Sequence, residues 1–312
     1  MANNSTLVLF GARGNLSRIK LIPGLFHLDE SGKLCDDMKI LSVGRQNISQ
    51  KEWESEIKDM LEKKFNKKYD LKVFERFIKR NIYHATLPED PDAFKKFSQL
   101  LLNDARFPKN FAFFLSVRPA DFAKIVDQLA EENLLIEDKY WRRVLIEKPF
   151  GTNLKSAIDL QASISKHLKE TQIYRIDHYL GKSALQNILW TRFSNSIFEH
   201  MWNKEHIDHI QITNHETLGV GERTEFYDAT GALRDMTQSH LLQMLALTTM
   251  EKPKSFSPDD IRIEKIKLLK SIRPIPIEKI EKYAFRAQYK SGNIDKEGLV
   301  KGYLEELEND KS

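Results

Sequence analysis

The chain has 312 residues, 41% of them apolar, with one cysteine and a formal charge of +4 at pH 7. That length has room for about two domains of ~100–200 residues. The small, dispersed charge gives no footing for nucleic acid but suits a small anionic ligand, and the lone Cys35 excludes an intramolecular disulfide and fits a reducing compartment. Met1–Thr6 lacks a basic n-region, the apolar run Leu7–Phe10 is too short for a signal sequence, and no segment approaches the ~20 apolar residues of a membrane span. A cytoplasmic protein with no membrane partner is expected.

The first half alternates short apolar runs with amphipathic stretches, the pattern of βαβ units stacked into a parallel sheet. Leu7–Phe10 predicts the first strand and leads into Gly11-Ala12-Arg13-Gly14-Asn15-Leu16-Ser17 and an apolar helix. Glycines at such a junction let backbone N–H groups reach a pyrophosphate at a helix N-terminus. A two-glycine turn also suits a plain strand–helix connection; its place after a buried strand at the head of the chain favours the nucleotide. Ile40–Val43 predicts the second strand and leads into Gly44-Arg45. An NAD enzyme usually places an acid there for the ribose 2′-hydroxyl, whereas a cation suits the 2′-phosphate of NADP, an ordinary surface charge being the alternative.

Asn81–His84 carries a weaker strand pattern, and Phe111–Val117 and Arg143–Glu147 complete the sheet. Lys51–Lys64 and Asp121–Glu131 read as helices, with apolar residues three and four apart. Glu147-Lys148-Pro149-Phe150-Gly151 closes the last strand. A lysine at the C-terminal edge of a parallel sheet points toward the ligand crevice, although Pro and Gly also simply end strands.

A domain edge is expected near Asp177. Beyond it come a helix at Ser183–Arg192, a strand at His209–His215, a long helix at Gly231–Met250, a Pro-rich connector and a strand at Tyr283–Tyr289. This is an α+β pattern whose sheet has only begun. The Lys-rich stretch Arg262–Lys270 reads as a solvated helix face. His200, His206, His209 and His215 lack a recognised zinc spacing, so no metal is expected. Tyr174-Arg175-Ile176-Asp177-His178-Tyr179-Leu180-Gly181-Lys182 packs an acid, an imidazole, a phenol and an ammonium into nine residues. If helical, it sets His178 and Lys182 on one face at i,i+4, able to meet one phosphate, while Gly181 argues for a turn.

This run, with Glu147–Gly151, Arg234–His240 and Gly302–Glu306, resembles the glucose-6-phosphate dehydrogenase family. The likeness extends from the N-terminus to the last residues, and the family continues well past a segment like Gly302–Glu306. The resemblance implies a Rossmann-like NADP-binding domain over residues 1–176 and an incomplete α+β substrate and dimerisation domain, with antiparallel sheet, over 177–312. It implies oxidation of glucose 6-phosphate to 6-phosphogluconolactone with NADP reduction, the first step of the oxidative pentose phosphate pathway. Cofactor contacts carry over to Gly11, Gly14, Asn15, Leu16, Arg45 and Lys148. Substrate contacts carry over to Lys20 and Lys148, to His178, Tyr179 and Lys182 for the phosphate, and to Glu216 and Asp235 for the hydroxyls. His240 is implied as the base and Asp177 as its support. Pro149 is expected after a cis peptide bond, and the family's homo-oligomer interface is expected to be largely missing.

The sequence departs from the family's Gly-Ala-Ser-Gly-Asp-Leu-Ala at Arg13, Asn15 and Ser17, from a Pro-Pro pair at Arg118, and from Asn at Ser239. Arg13 is compatible with an added phosphate contact or with a crowded loop. Two further readings stay open. One is an oxidoreductase of the glucose-fructose oxidoreductase type, which shares the Glu-Lys-Pro tripeptide; the other is a shortened, non-catalytic relative or gene fragment that retains nucleotide binding.

Overall fold

Within Ser5–Phe10 (β1), Val8 and Phe10 join one apolar cluster and Leu9 another, because successive side chains of a strand point to opposite faces. A strand apolar on both faces needs cover on both, which parallel sheets with flanking helices provide. The computed structural model describes residues 4–66, 68–87, 90–215, 224–294 and 298–309. The chain divides into two compact units, residues 1–176 and 177–312.

In the first unit β1 is joined by Lys39–Gly44 (β2), Asn81–Ala85 (β3), Asn110–Leu115 (β4), Arg142–Ile146 (β5) and Ile173–Arg175 (β6). All five pairings are parallel, in the order β3-β2-β1-β4-β5-β6. One face is covered by Ile22–Glu30 (α1), Gln50–Phe65 (α2) and Leu71–Arg80 (α3), which bury Phe26, Trp53, Ile57 and Phe77 against Leu9 and Ile40. The other is covered by Ala93–Asn103 (α4), Phe122–Glu131 (α5) and Leu154–Ile164 (α6), which bury Phe97, Val126 and Ile164 against Val8, Phe113 and Val144.

Local chemistry fixes the helix starts. Ser49 accepts from the Glu52 amide while the Glu52 carboxylate accepts from the Ser49 amide, a capping box that opens α2. Buried polar groups are paired across elements: Asn81 Oδ1 accepts from Ser42 Oγ at 2.8 Å and from Trp53 Nε1 at 2.9 Å. Asp29 on α1 receives Arg80 at 2.9 Å and Arg76 at 3.2 Å, both from α3.

The second unit begins with a 3₁₀ turn, His178–Gly181, followed by Ser183–Phe193 (α7) and Ser196–Met201 (α8). Thr224–Ala232 (α9) meets a π-helical segment, Leu233–Leu241, across a break at Gly231 (φ 69°), and Leu242–Thr249 (α10) continues it. Pro258–Ser271 (α11), Ile280–Tyr283 (α12), the antiparallel pair Gly292–Ile294 (β7) and Gly298–Val300 (β8), and Tyr303–Asn309 (α13) follow. Tyr179, Leu185, Phe193, Leu247 and Met250 form the buried centre, joined by Leu180, Ile261 and Leu268. Buried Arg192 of α7 donates to the carbonyls of Leu247 at 2.8 Å and Met250 at 2.9 Å, capping the end of α10.

The strands expected at His209–His215 and Tyr283–Tyr289 do not form, Tyr283 ending α12 instead, because an apolar alternation becomes a ladder only with a neighbouring strand to pair with; Phe285 is 93% exposed. The long helix expected at Gly231–Met250 does start at the break at Gly231 and runs to Thr249, but it is π-helical over Leu233–Leu241. Strand β4 ends at Leu115, two residues short of the expected end. Short β6 lies inside the polar run at Tyr174 and was hidden by it. Among the described residues, no helix is long and apolar enough to cross a membrane.

Removing Asp29 leaves Arg80, whose side chain is 4% exposed, as an uncompensated buried cation. Asp29→Ala is expected to cost about 3 kcal/mol or more, seen as a lower urea midpoint by tryptophan fluorescence; a midpoint within error of the parent would contradict this account.

Candidate functional site

The strand order reverses at β1, between β2 on one side and β4 on the other, which is where open parallel sheets bind ligands beyond their C-terminal ends. Gly11 stands at that end with φ 75°, and a Cβ there would lie 2.1 Å from the Ser116 carbonyl oxygen. The amides of Gly11 and Ala12 donate to Val43 O at 3.0 and 3.1 Å, and the Ser116 amide donates to Phe10 O at 3.1 Å. The turn is therefore stitched to both neighbouring strands, and only glycine fits the crossing. Ser17, buried, donates its hydroxyl to Gly11 O at 2.9 Å, which gives this departure from the family pattern a structural task. Exposed Gly14, Asn15 and Leu16 lead into the helical turn that precedes α1, and Lys20 lies exposed on its π-helical part, Ser17–Leu21.

Arg13 does not project freely over this turn. Its guanidinium forks onto Glu56 of α2, Nη2 to Oε1 at 2.6 Å and Nε to Oε2 at 3.1 Å, and Arg18 approaches the same carboxylate at 3.2 Å. Arg45 is exposed just past β2, with no hydrogen bond or ion pair among the described residues. Lys148 is half-buried just past β5, before a cis peptide bond to Pro149. Because the strands are parallel, Gly11, Arg45 and Lys148 share one edge of the sheet. Arg118 is exposed and turns onto Asp121 at 3.3 Å.

In the second unit, Asp177 Oδ1 accepts from the Tyr179 amide at 3.0 Å and from His240 Nδ1 at 2.7 Å. A carboxylate only accepts, so the shared proton sits on Nδ1 and the neutral imidazole carries its basic lone pair on Nε2. His240 is 1% exposed and stacks on the Tyr179 ring, with centroids 3.9 Å apart and planes 13° apart. The His178 ring meets it edge-on at 4.9 Å, Lys182 Nζ lies 3.6 Å from the Tyr179 ring centroid, and Tyr179 Oη is 3.2 Å from Asn214 Oδ1. His178 and Lys182 do not share an α-helical face: the turn is 3₁₀, and Lys182 is extended, with φ −70° and ψ 129°. Asp235 is half-buried one turn before His240, its carbonyl accepting from Ser239 Oγ. Glu216 lies outside the described residues.

A buried imidazole oriented by a carboxylate, with exposed cationic groups beside it, is equipped to take a proton from a hydroxyl and to hold an anion. Asp177, His178 and His240 also offer one ligand atom each within 4.8 Å of one another, a grouping open to a metal ion. Asp177 Oδ1 already serves two donors, and the arrangement is complete as an orienting pair without one.

One residue escaped the sequence argument. Lys265, within the stretch expected to be a solvated face, is half-buried on α11, and its ammonium pKa is lowered by burial, with Asp177 acting in the opposite direction and Arg262 in the same one. The signal was present in the spacing, since Ile261, Lys265 and Leu268 fall at i, i+4 and i+7 on one helical stripe.

The reversed parallel sheet with its glycine turn defines a Rossmann-type dinucleotide-binding fold, joined to a unit that carries an imidazole–carboxylate pair. Residues 8–187 match the NAD binding domain of glucose-6-phosphate dehydrogenase, and residues 189–312 match the C-terminal domain of the same enzyme. The chain belongs to the glucose-6-phosphate dehydrogenase family. It is 40% identical to the glucose-6-phosphate 1-dehydrogenase of Chlamydia pneumoniae over 312 residues, covering 98% of this chain and 60% of that protein. The Aggregatibacter actinomycetemcomitans enzyme is also 40% identical, with 98% and 62% covered. A solved glucose-6-phosphate dehydrogenase in complex with its substrate glucose 6-phosphate superposes with a TM-score of 0.85 at 33% identity, covering 97% of this chain and 62% of that one. The Mycobacterium avium enzyme gives 0.79 at 32% identity, with 88% and 58% covered. The chain thus spans about 60% of the length of the curated relatives it matches, and the family match decides against the glucose-fructose oxidoreductase type.

Two glycine substitutions should behave oppositely. Gly11→Ala meets a backbone oxygen and a left-handed backbone worth ~1–2 kcal/mol alone, so it should lower thermal stability and abolish dinucleotide retention. Gly24→Ala on α1, with no atom within 4 Å of the added Cβ, should raise stability by about 0.5–1 kcal/mol. Equal effects in calorimetry would refute the stitched turn.

Proposed function

We propose that this chain provides the NADP-binding and proton-abstracting parts of a glucose-6-phosphate 1-dehydrogenase that acts in the cytoplasm. Residues 1–176 would bind the dinucleotide and residues 177–312 the sugar phosphate, in an assembly of like chains. The 2.7 Å bond between Asp177 and buried His240 carries this reading most directly.

The first unit suits the cofactor on its own geometry. The glycine turn leads into the helical segment that begins at Ser17, and a helix head there favours a pyrophosphate. Arg45 supplies a cation where an NAD enzyme would present an acid, which suits the 2′-phosphate of NADP. Bound at this edge, NADP would accept a hydride from the sugar. His178, Tyr179 and Lys182 would hold the substrate phosphate through donors of positive or neutral character, and Asp235 would accept from sugar hydroxyls. Lys148 would reach toward both molecules, and Lys20 toward the substrate. His240 Nε2 would take the C1 hydroxyl proton, and Asp177 would keep Nδ1 protonated and stabilise the imidazolium that forms. The substrate thereby loses a hydride and a proton and becomes the lactone.

A second reading, nucleotide binding without turnover, is favoured by the exposure of Ile277 (86%), Phe285 (93%) and Leu299 (81%) in the second unit. Apolar side chains so exposed mark a surface that needs a covering partner.

The experiments separate these readings. Titration should show tighter binding of NADP than NAD, and Arg45→Ala should remove about 1.5–3 kcal/mol of the preference; equal affinity of the parent for both would sink the NADP assignment. If glucose 6-phosphate drives NADP reduction, His240→Asn should lower kcat by ~10²–10⁴-fold while leaving NADP affinity nearly unchanged. Retention of half the activity would remove His240 from the role of base. NADP binding without any reduction would leave only the second reading.

A further inference from the structure

The polar run Tyr174–Lys182 gives Asp177, His178, Tyr179 and Lys182 to the second unit, while Arg175 stays on the sheet of the first. As the last residue of β6 it stands beside Ile146, the last residue of β5, and the Ile176 amide donates to the Ile146 carbonyl at 2.9 Å. Lys148 follows Ile146 by two residues. Arg175 therefore lies at the same sheet edge as the start of the segment that bears Lys148. Its guanidinium carbon is over the Phe150 ring, 4.9 Å from the centroid. Glu170 takes the guanidinium in a fork, Oε1 accepting from Nη1 at 2.7 Å and Oε2 from Nη2 at 3.1 Å, and Gln161 Oε1 on α6 also accepts from Nη2.

The ion pair is open to solvent, with side-chain exposures of 35% for Arg175 and 49% for Glu170, and such pairs add little to stability. What the fork supplies is placement: a planar guanidinium held at both terminal nitrogens keeps one position over the ring. Phe150 also packs against the buried cluster that holds Val126, Val144 and Ile164. Gly151 follows with φ 81°, and a Cβ there would lie 2.5 Å from the Ala157 amide nitrogen, so the chain passes in close contact with the first turns of α6. The residues just past Lys148 are thus bracketed by α6 on one count and by Arg175 of β6 on another.

We propose that Arg175 is a positioning residue for Lys148: its guanidinium, aligned by Glu170 and Gln161, holds the Phe150 ring and so fixes where the chain bearing Lys148 leaves the sheet. Lysine carries its ammonium on a flexible four-carbon stem, so the reach of that ammonium is set first by the place of its backbone. A supporting residue that locks the neighbouring ring keeps such a group on target. Arg175 touches neither ligand in this arrangement and works through Phe150. The proposal rests on the reading given above, in which Lys148 meets cofactor and substrate.

The first test needs no ligand: the rate at which acetic anhydride labels half-buried Lys148 in the full chain, followed by peptide mass spectrometry, with Lys155 on α6, 86% exposed, as the internal reference. Arg175→Ala and Phe150→Leu should each raise the Lys148 rate relative to Lys155 by about two- to fivefold, the scale of one cation–π contact at an exposed site. The double variant should go no further, since both changes break one contact. Arg175→Lys keeps the charge and loses the fork, so it should behave like Arg175→Ala. In a titration with NADPH, Arg175→Ala should weaken binding by a similar factor in the parent and by nothing further in Lys148→Ala. A Lys148 rate unchanged in Arg175→Ala and Phe150→Leu overturns the proposal, as do additive effects in either pair or parent behaviour in the lysine variant. Failure of all three single variants to fold assigns the contact to stability and likewise overturns it. NADPH affinity untouched by Lys148→Ala counts against the function proposed above, and the labelling rates then decide the place of Arg175 by themselves.

Discussion

One oxygen atom, Asp177 Oδ1, organises the chemistry of the second unit. It caps the 3₁₀ turn through the Tyr179 amide and holds the His240 imidazole by its Nδ1 proton. The cap sets where Tyr179 points, and Tyr179 in turn forms the surface on which the imidazole stacks. Backbone geometry, ring packing and tautomer are thereby fixed by a single acceptor. Loss of the carboxylate would disturb all of them together, so its effects would not add like those of independent sites.

The first unit solves a different problem, that of presenting cations without letting them collapse onto the turn. Arg13 and Arg18 share Glu56, which ties both guanidinium groups to α2. The choice between an added phosphate contact and a crowded loop is thus replaced by a tethered side chain. Arg45, by contrast, has no carboxylate holding it among the described residues. Arg13 and Arg45 therefore carry the same charge and very different availability.

Sequence patterning made the first unit legible because its strands are apolar on both faces and bounded by turn residues. Val8, Leu9 and Phe10 could hardly belong to anything but a buried strand. The second unit was harder to read. Residues 209–215 and 283–289 alternate as strands do, but pairing depends on neighbours that a local pattern does not contain. The π-helical register around His240 leaves no signature in the apolar spacing of the sequence. Asp177 and His240 are 63 residues apart, and only the family resemblance joined them before the fold did. Lys265 was missed for a simpler reason: a lysine among lysines was counted as solvated, although its apolar neighbours at Ile261 and Leu268 already marked the stripe it occupies.

The helix that carries His240 runs as a π-helix from Leu233 to Leu241, its hydrogen bonds reaching one residue further than in an α-helix. The bearing of the imidazole on Asp177 consequently depends on how many residues lie between the break at Gly231 and position 240, as well as on which residues they are. Removing one would favour return to α-helical winding and swing position 240 by about 100° around the axis, the angle of one residue at 3.6 per turn. Exposed positions along this stretch, such as Leu233, Arg234 and Gln238, can tolerate exchange of their side chains while the length of the stretch cannot change. In this helix, residue number is itself a structural parameter.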